Sequence, residues 1–173
     1  MGDSEREQLV TAAEGSPDLE GTTEREGRRR NFVAALRSGK FRQTRNVLCR
    51  QGVGHCCLGV ACEVAIEGGA ELKRRSQGRD SVVTYEASAH DTEATALPQA
   101  VMAWFGFDAS NPLLRVPREV MEQAPNGLHE HWHEDGRFRA AGLNDDWQLS
   151  FELIADCFEY TFLPEDWQAR HGG

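Results

Sequence analysis

Apolar positions along this chain come in short blocks separated by Gly, Pro and charged residues. That is the pattern of one small mixed domain rather than of a long bundle or a repeat array. In RRRNFVAALRSGKF, Phe32, Val33 and Leu36 share one helical face with Ala35 beside it, and Ser38-Gly39 supplies the stop, with Gly39 as a left-handed cap. Residues 41–50 mix Phe, Thr, Val and Cys with polar residues and read as a short strand or an extended turn. After Gly52-Val53-Gly54, positions 57, 58, 61, 62, 65 and 66 are Cys, Leu, Ala, Cys, Ala and Ile. That stripe predicts a helix with a broad buried face, ended by Gly68-Gly69. Val82 to Tyr85 favour a strand. Pro98 suits the first position of a helix that Gly106 ends, and Arg118–Gln123 fits one helical turn. HEHWHEDGRFRAA reads as a β-hairpin turning at Glu134-Asp135-Gly136. Ser150 caps a last helix whose apolar face is Phe151, Ile154, Ala155 and Phe158.

The expected architecture is α+β: a mostly helical single domain with a small antiparallel sheet or hairpin. Residues 28–163 form it. Residues 1–27 hold too few apolar side chains to offset the entropy of ordering and read as a flexible acidic tail. Residues 164–173 read as a frayed C-terminal tail.

Charge changes this picture more than composition does. The net charge is −9, yet residues 27–50 carry eight bases and no acid, while residues 1–26 carry eight acids and two bases. Residues 80–173 are again acidic, at −12, so a basic segment lies inside an acidic chain. No stretch approaches the roughly 20 apolar residues that cross a bilayer, and the acidic N-terminus lacks the pattern of a secretory signal. The five cysteines, Cys49, Cys56, Cys57, Cys62 and Cys157, are odd in number and two are adjacent. Reduced thiols, mostly small core residues, and a cytoplasmic setting are expected.

Taken in order, several short motifs stand out: Leu36 to Gly39, Gln43 to Leu48, Cys56 to Cys62, Leu97 to Gly106, Leu143 to Asp145 and Ser150 to Asp156. As a set, over roughly residues 30–160, they resemble a family of short uncharacterised proteins of bacteriophage and actinobacterial genomes. The resemblance implies a phage or prophage origin and an accessory role. It brings no catalytic residue and no ligand with it.

Three chemistries are open to the residues themselves. Cys56 opens a helix, where the positive end of the dipole favours a thiolate. With His55 or a hairpin His as base and Asn144 or Asp145 as orienter, it could act as a cysteine-dependent hydrolase or transferase. The bland reading, a buried core thiol and a turn-forming Asn-Asp pair, weighs more. His129, His131 and His133 alternate, so on a strand they would share one face and could hold zinc, although a polar surface hairpin explains them as well. The basic segment suggests an anionic partner. Arg42, Arg45 and Arg50 could grip a small phosphate-bearing ligand, with Asn144, Asp145 and Trp147 lining the pocket. The alternative is that these bases pair with acids across the fold. Nucleic acid is disfavoured by the −12 of the C-terminal half, and no membrane role is expected. With no complete catalytic constellation, the expected function is non-enzymatic: an accessory protein that binds a host protein or a small anionic ligand and counteracts host defence.

Overall fold

Helix α1, Pro17–Arg37, is far longer than the apolar pattern predicts. The computed structural model describes residues 17–172 except 77, 80, 126 and 132–135. Phe32, Val33 and Leu36 are buried as their spacing requires. The polar turns ahead of them are anchored from outside by the RRR run. Arg28 lies over the Trp104 ring at 3.9 Å. Arg29 donates to the carbonyls of Phe105 at 2.8 Å and Gly106 at 2.9 Å. Those carbonyls end helix α3, Gln99–Phe105, where a cation is favoured. The acidic tail expected over 1–27 is therefore helical from Pro17 onward, and residues 1–16 lie outside the described part.

Helix α2, Cys57–Glu67, is the centre of the domain, and nine of its residues, Cys57 through Ala65, are buried. Five antiparallel strands pack beside it: β1 (Cys49–Arg50), β2 (Gly54–His55), β3 (Lys73–Arg75), β4 (Val82–Ser88) and β5 (Asp91–Glu93). Their order is β2-β1-β4-β3, with β5 also pairing β4. A second, two-stranded sheet joins β6 (Leu113–Arg115) to β7 (Arg137–Arg139), with Leu114 opposite Phe138. Helices α4 (Arg118–Gln123), α5 (Ala140–Asp145), α6 (Phe151–Phe162) and α7 (Pro164–His171) complete it. The fold is α+β, as expected, and no helix among the described residues is long and apolar enough to cross a membrane.

Two expectations are corrected. Over the described residues the strand expected at His129–His133 is replaced: Leu128–His131 form a 3₁₀ turn, and the next described strand is Arg137–Arg139. His133 lies outside the described residues, as do Glu134 and Asp135 of the expected turn, and the backbone at His129 and His131 lacks the period-two alternation of a strand. The C-terminal segment is not frayed. α7 buries Trp167, whose ring meets Tyr160 edge-on at 5.4 Å.

A charged cluster ties α7 and α1 to α6. Arg37 reaches Asp156 at 2.7 Å and Glu159 at 3.0 Å, and Arg170 contacts both carboxylates as well. Burial alone would raise the Glu159 pKa, but the hydrogen bonds from Arg37 and Arg170 outweigh it and hold the carboxyl below its ordinary value of 4.5. A depressed carboxyl contributes stability that is present above its unfolded pKa and lost as pH falls through its folded value. Glu159→Gln should therefore lower stability at pH 7 by about 2 kcal/mol. Urea midpoints taken between pH 7 and about pH 3 should show the two proteins converging at the acid end.

Candidate functional site

The β1–β2 hairpin sets the geometry of the site. Gly54 is required because a Cβ there would lie 2.3 Å from the Arg42 carbonyl oxygen. That close approach lets His55 N donate to Arg42 O at 2.8 Å while Thr44 N donates to His55 O, also at 2.8 Å. The basic segment 40–44 is thereby laid along the outer edge of β2. Between this segment, the hairpin and β3 runs a groove of about 500 Å³. Lys40, Phe41 and Arg42 form one wall, Arg50 to Val53 the end, Arg74 and Ser76 the other wall, and Cys49, His55 and Glu63 also line it.

Glu63, on α2, is the one buried acid of the groove and it is fully engaged. It accepts a hydrogen bond from the Tyr85 hydroxyl at 2.6 Å and faces His55 Nε2 at 3.4 Å and Arg74 at 3.1 Å. Burial would raise its pKa, but the hydrogen bonds from His55 and Tyr85 and the Arg74 charge hold it below the ordinary carboxylate range. Burial opposes a charge on His55 too. Its interactions with Cys49 and then Glu63 prevail, and the ring is pushed up to about 9. Phe41 closes over the imidazole edge-on at 5.2 Å. The groove thus holds four Lys or Arg side chains and a protonated ring against one carboxylate.

The sequence-derived candidates divide sharply. Arg42 and Arg50 line the groove, and Arg50 is shared with a neighbouring hollow of about 400 Å³ lined by Gln43, Thr44 and Arg45. Asn144 and Asp145 are elsewhere: Asn144 is fully buried behind the 43–44 segment, and Asp145 accepts its Nδ2–H at 2.6 Å. Trp147 packs against Phe138 at 6.3 Å, away from the groove. The dipole argument for Cys56 fails, because the thiol is buried and burial pushes it up to about 11. Cys57, Cys62 and Cys157 are pushed up by burial as well. Cys49, which no sequence motif singles out, is also buried, at 6% exposure, but it is the cysteine that lines the groove. Among the described residues no three His, Cys, Asp or Glu side chains gather as a metal site would need.

Residues 26–162 match the family described as a domain of unknown function, DUF8296. The chain belongs to that family. It matches no curated protein and no solved structure. The matched span of the DUF8296 domain starts inside α1 and ends with α6, so it holds the groove, the hairpin and Glu63.

Proposed function

We propose that this DUF8296 protein binds a small anionic ligand, carrying phosphate or carboxylate groups, in the groove between residues 40–42 and β3. One observation carries the reading: Lys40, Arg42, Arg50 and Arg74 converge on one concavity with a protonated His55 at its lining, and its one acid is already satisfied. Arg suits such a ligand because its planar fork matches carboxylate and phosphate oxygens. Lys40 and Arg74 each pair with an acid, Glu67 and Glu63, while the other half of the basic segment does not line the groove. Arg28, Arg29, Arg30 and Arg37 are engaged by Trp104, the end of α3, Asp166 and the Asp156–Glu159 pair. A small ligand is favoured over a host protein as the occupant of the site. Among the described residues, Val53 and Leu113 are the exposed large hydrophobics, too little for an apolar docking patch.

The resemblance to phage and prophage proteins supplies the setting: an accessory protein that counteracts a host defence by holding such a molecule. Isothermal titration with inorganic pyrophosphate at low ionic strength tests the groove. Wild-type protein should bind, and Arg42→Ala with Arg50→Ala should weaken binding by roughly a hundredfold, about tenfold for each guanidinium removed from the anion. Equal binding by wild type and double variant would rule out this groove as the anion site.

A further inference from the structure

We infer that Cys49 is a nucleophile of this groove, with His55 as the imidazolium that holds its proton and Glu63 as the residue that positions the ring, toward electrophilic carbon compounds that carry a carboxylate or phosphate. The charge of that compound rests on the anion-binding reading above; the thiol–imidazole pair does not.

Strand register carries the argument. Cys49 and His55 are direct partners across the antiparallel β1–β2 pair. The backbone N–H and C=O of His55 bond outward, to Arg42 and Thr44, not toward Cys49. The two residues therefore form a non-hydrogen-bonded cross-strand pair, the kind whose side chains lie closest and on one face of the sheet. That face is the groove, since both residues line it. Glu63 faces the ring at Nε2. It leaves Nδ1, which is buried and makes no hydrogen bond of full geometry, with the Cys49 thiol as its neighbour across the strand pair. A buried ring nitrogen without a full hydrogen bond is costly unless it is used, and Cys49 is the thiol that interacts with this ring. A cysteine beside a base that a third group orients is the general arrangement of an activated sulfur nucleophile.

The step balances within these groups. The nucleophile is the ion pair of the two side chains, in which the Sγ proton already lies on Nδ1 of the protonated ring. Sγ forms a bond to the electrophilic carbon while the bond from that carbon to its leaving group breaks. The leaving group departs with the electron pair, and His55 can return the proton to it. Lys40, Arg42, Arg50 and Arg74 face the same space and favour a substrate with an anionic group. Tyr85 and Arg74 on the far side hold Glu63 ionised and in place.

The test uses the full chain and two reagents that differ by one charge: neutral iodoacetamide and anionic iodoacetate, at pH 7 and low ionic strength. Mapping the alkylated peptides over time separates the five cysteines without any variant. Cys49 should be modified first, roughly tenfold or more ahead of the other four, as expected for a thiol activated by an imidazole. Iodoacetate should gain on iodoacetamide at Cys49 relative to their rates with glutathione. His55→Gln should slow Cys49 roughly tenfold. Glu63→Gln should move the pH profile of Cys49 alkylation to higher pH, a change that a purely structural role would not produce. Labelling of Cys49 as slow as that of Cys56 and Cys57 overturns the inference, as does fast labelling unaltered by either variant. Fast Cys49 labelling with no advantage for iodoacetate upholds the thiol pair and removes the anionic substrate, so the two readings fail separately.

Discussion

Gly59→Ala is expected to cost about 4 kcal/mol or to prevent folding altogether. Helix propensity alone argues the reverse, because Ala is better than Gly inside a helix by about 1 kcal/mol. The obstacle is backbone. A Cβ at position 59 would lie 1.7 Å from the Leu48 carbonyl oxygen, 2.6 Å from its carbon and 3.2 Å from its Cα. Leu48 cannot simply retreat. Its carbonyl accepts from Cys56 N at 3.0 Å and its N–H donates to Ala94 O at 2.7 Å, so moving it breaks the joint between β1 and the start of α2. Relief would require α2 to lift away from β1, opening voids around Leu48, Leu58 and Cys62, all fully buried. Cys49 follows Leu48, so any accommodated variant should also lose its reactive thiol. Gly142→Ala is the control, because there the nearest neighbour is the flexible Asp146 carboxylate at 3.6 Å; its urea midpoint should move little. A Gly59→Ala protein as stable as wild type would contradict the packing of α2 on β1.

This close approach explains a motif that the sequence shows without its reason. The Gly of Cys-Cys-Leu-Gly-Val is needed for helix and strand to meet, which periodicity does not report. Elements with a strong local signal were legible: the apolar stripe of α2, the Ser150 cap, whose hydroxyl accepts from Leu153 N, and the left-handed Gly106 after α3. Elements held by distant partners were not. The early turns of α1 depend on Arg28 and Arg29 reaching α3, and α7 depends on Trp167 and on Arg170 reaching α6. The candidate site was half legible for the same reason. Arg42 and Arg50 follow from the charge run. Choosing Cys49 over Cys56 requires the register of two-residue strands, which are too short to leave a pattern. No pattern in the sequence singles out Glu63, the acid that holds His55, Arg74 and Tyr85 together.

Asn144→Ala should destabilise the protein by about 3 kcal/mol, through polar groups left without partners. The Asn144 amide is saturated. Its Oδ1 accepts from Gln43 Nε2 at 2.9 Å and from Cys57 N at 3.3 Å, and its Nδ2 donates to Thr44 O at 2.9 Å and Asp145 Oδ1 at 2.6 Å. Cys57 N belongs to the first turn of α2, where no backbone acceptor exists within the helix; Asn144 supplies one from α5. Asn144→Asp discriminates this account from a simple loss of packing. It keeps the shape but sets a carboxylate against Thr44 O and Asp145 Oδ1, where a donor is required. That variant should be least stable, relative to wild type, near neutral pH and should recover as acid protonates the new carboxyl and restores a donor. Equal losses at every pH would point to packing instead. The consequence reaches the groove although Asn144 does not touch it. Thr44 N holds His55 O, and Arg42 O holds His55 N, so the 42–44 segment that Asn144 fastens is the wall on which Arg42 stands. Asn144→Ala should therefore weaken pyrophosphate binding while every cation of the groove remains in the chain, because a charge contributes to binding only where the backbone beneath it is fixed.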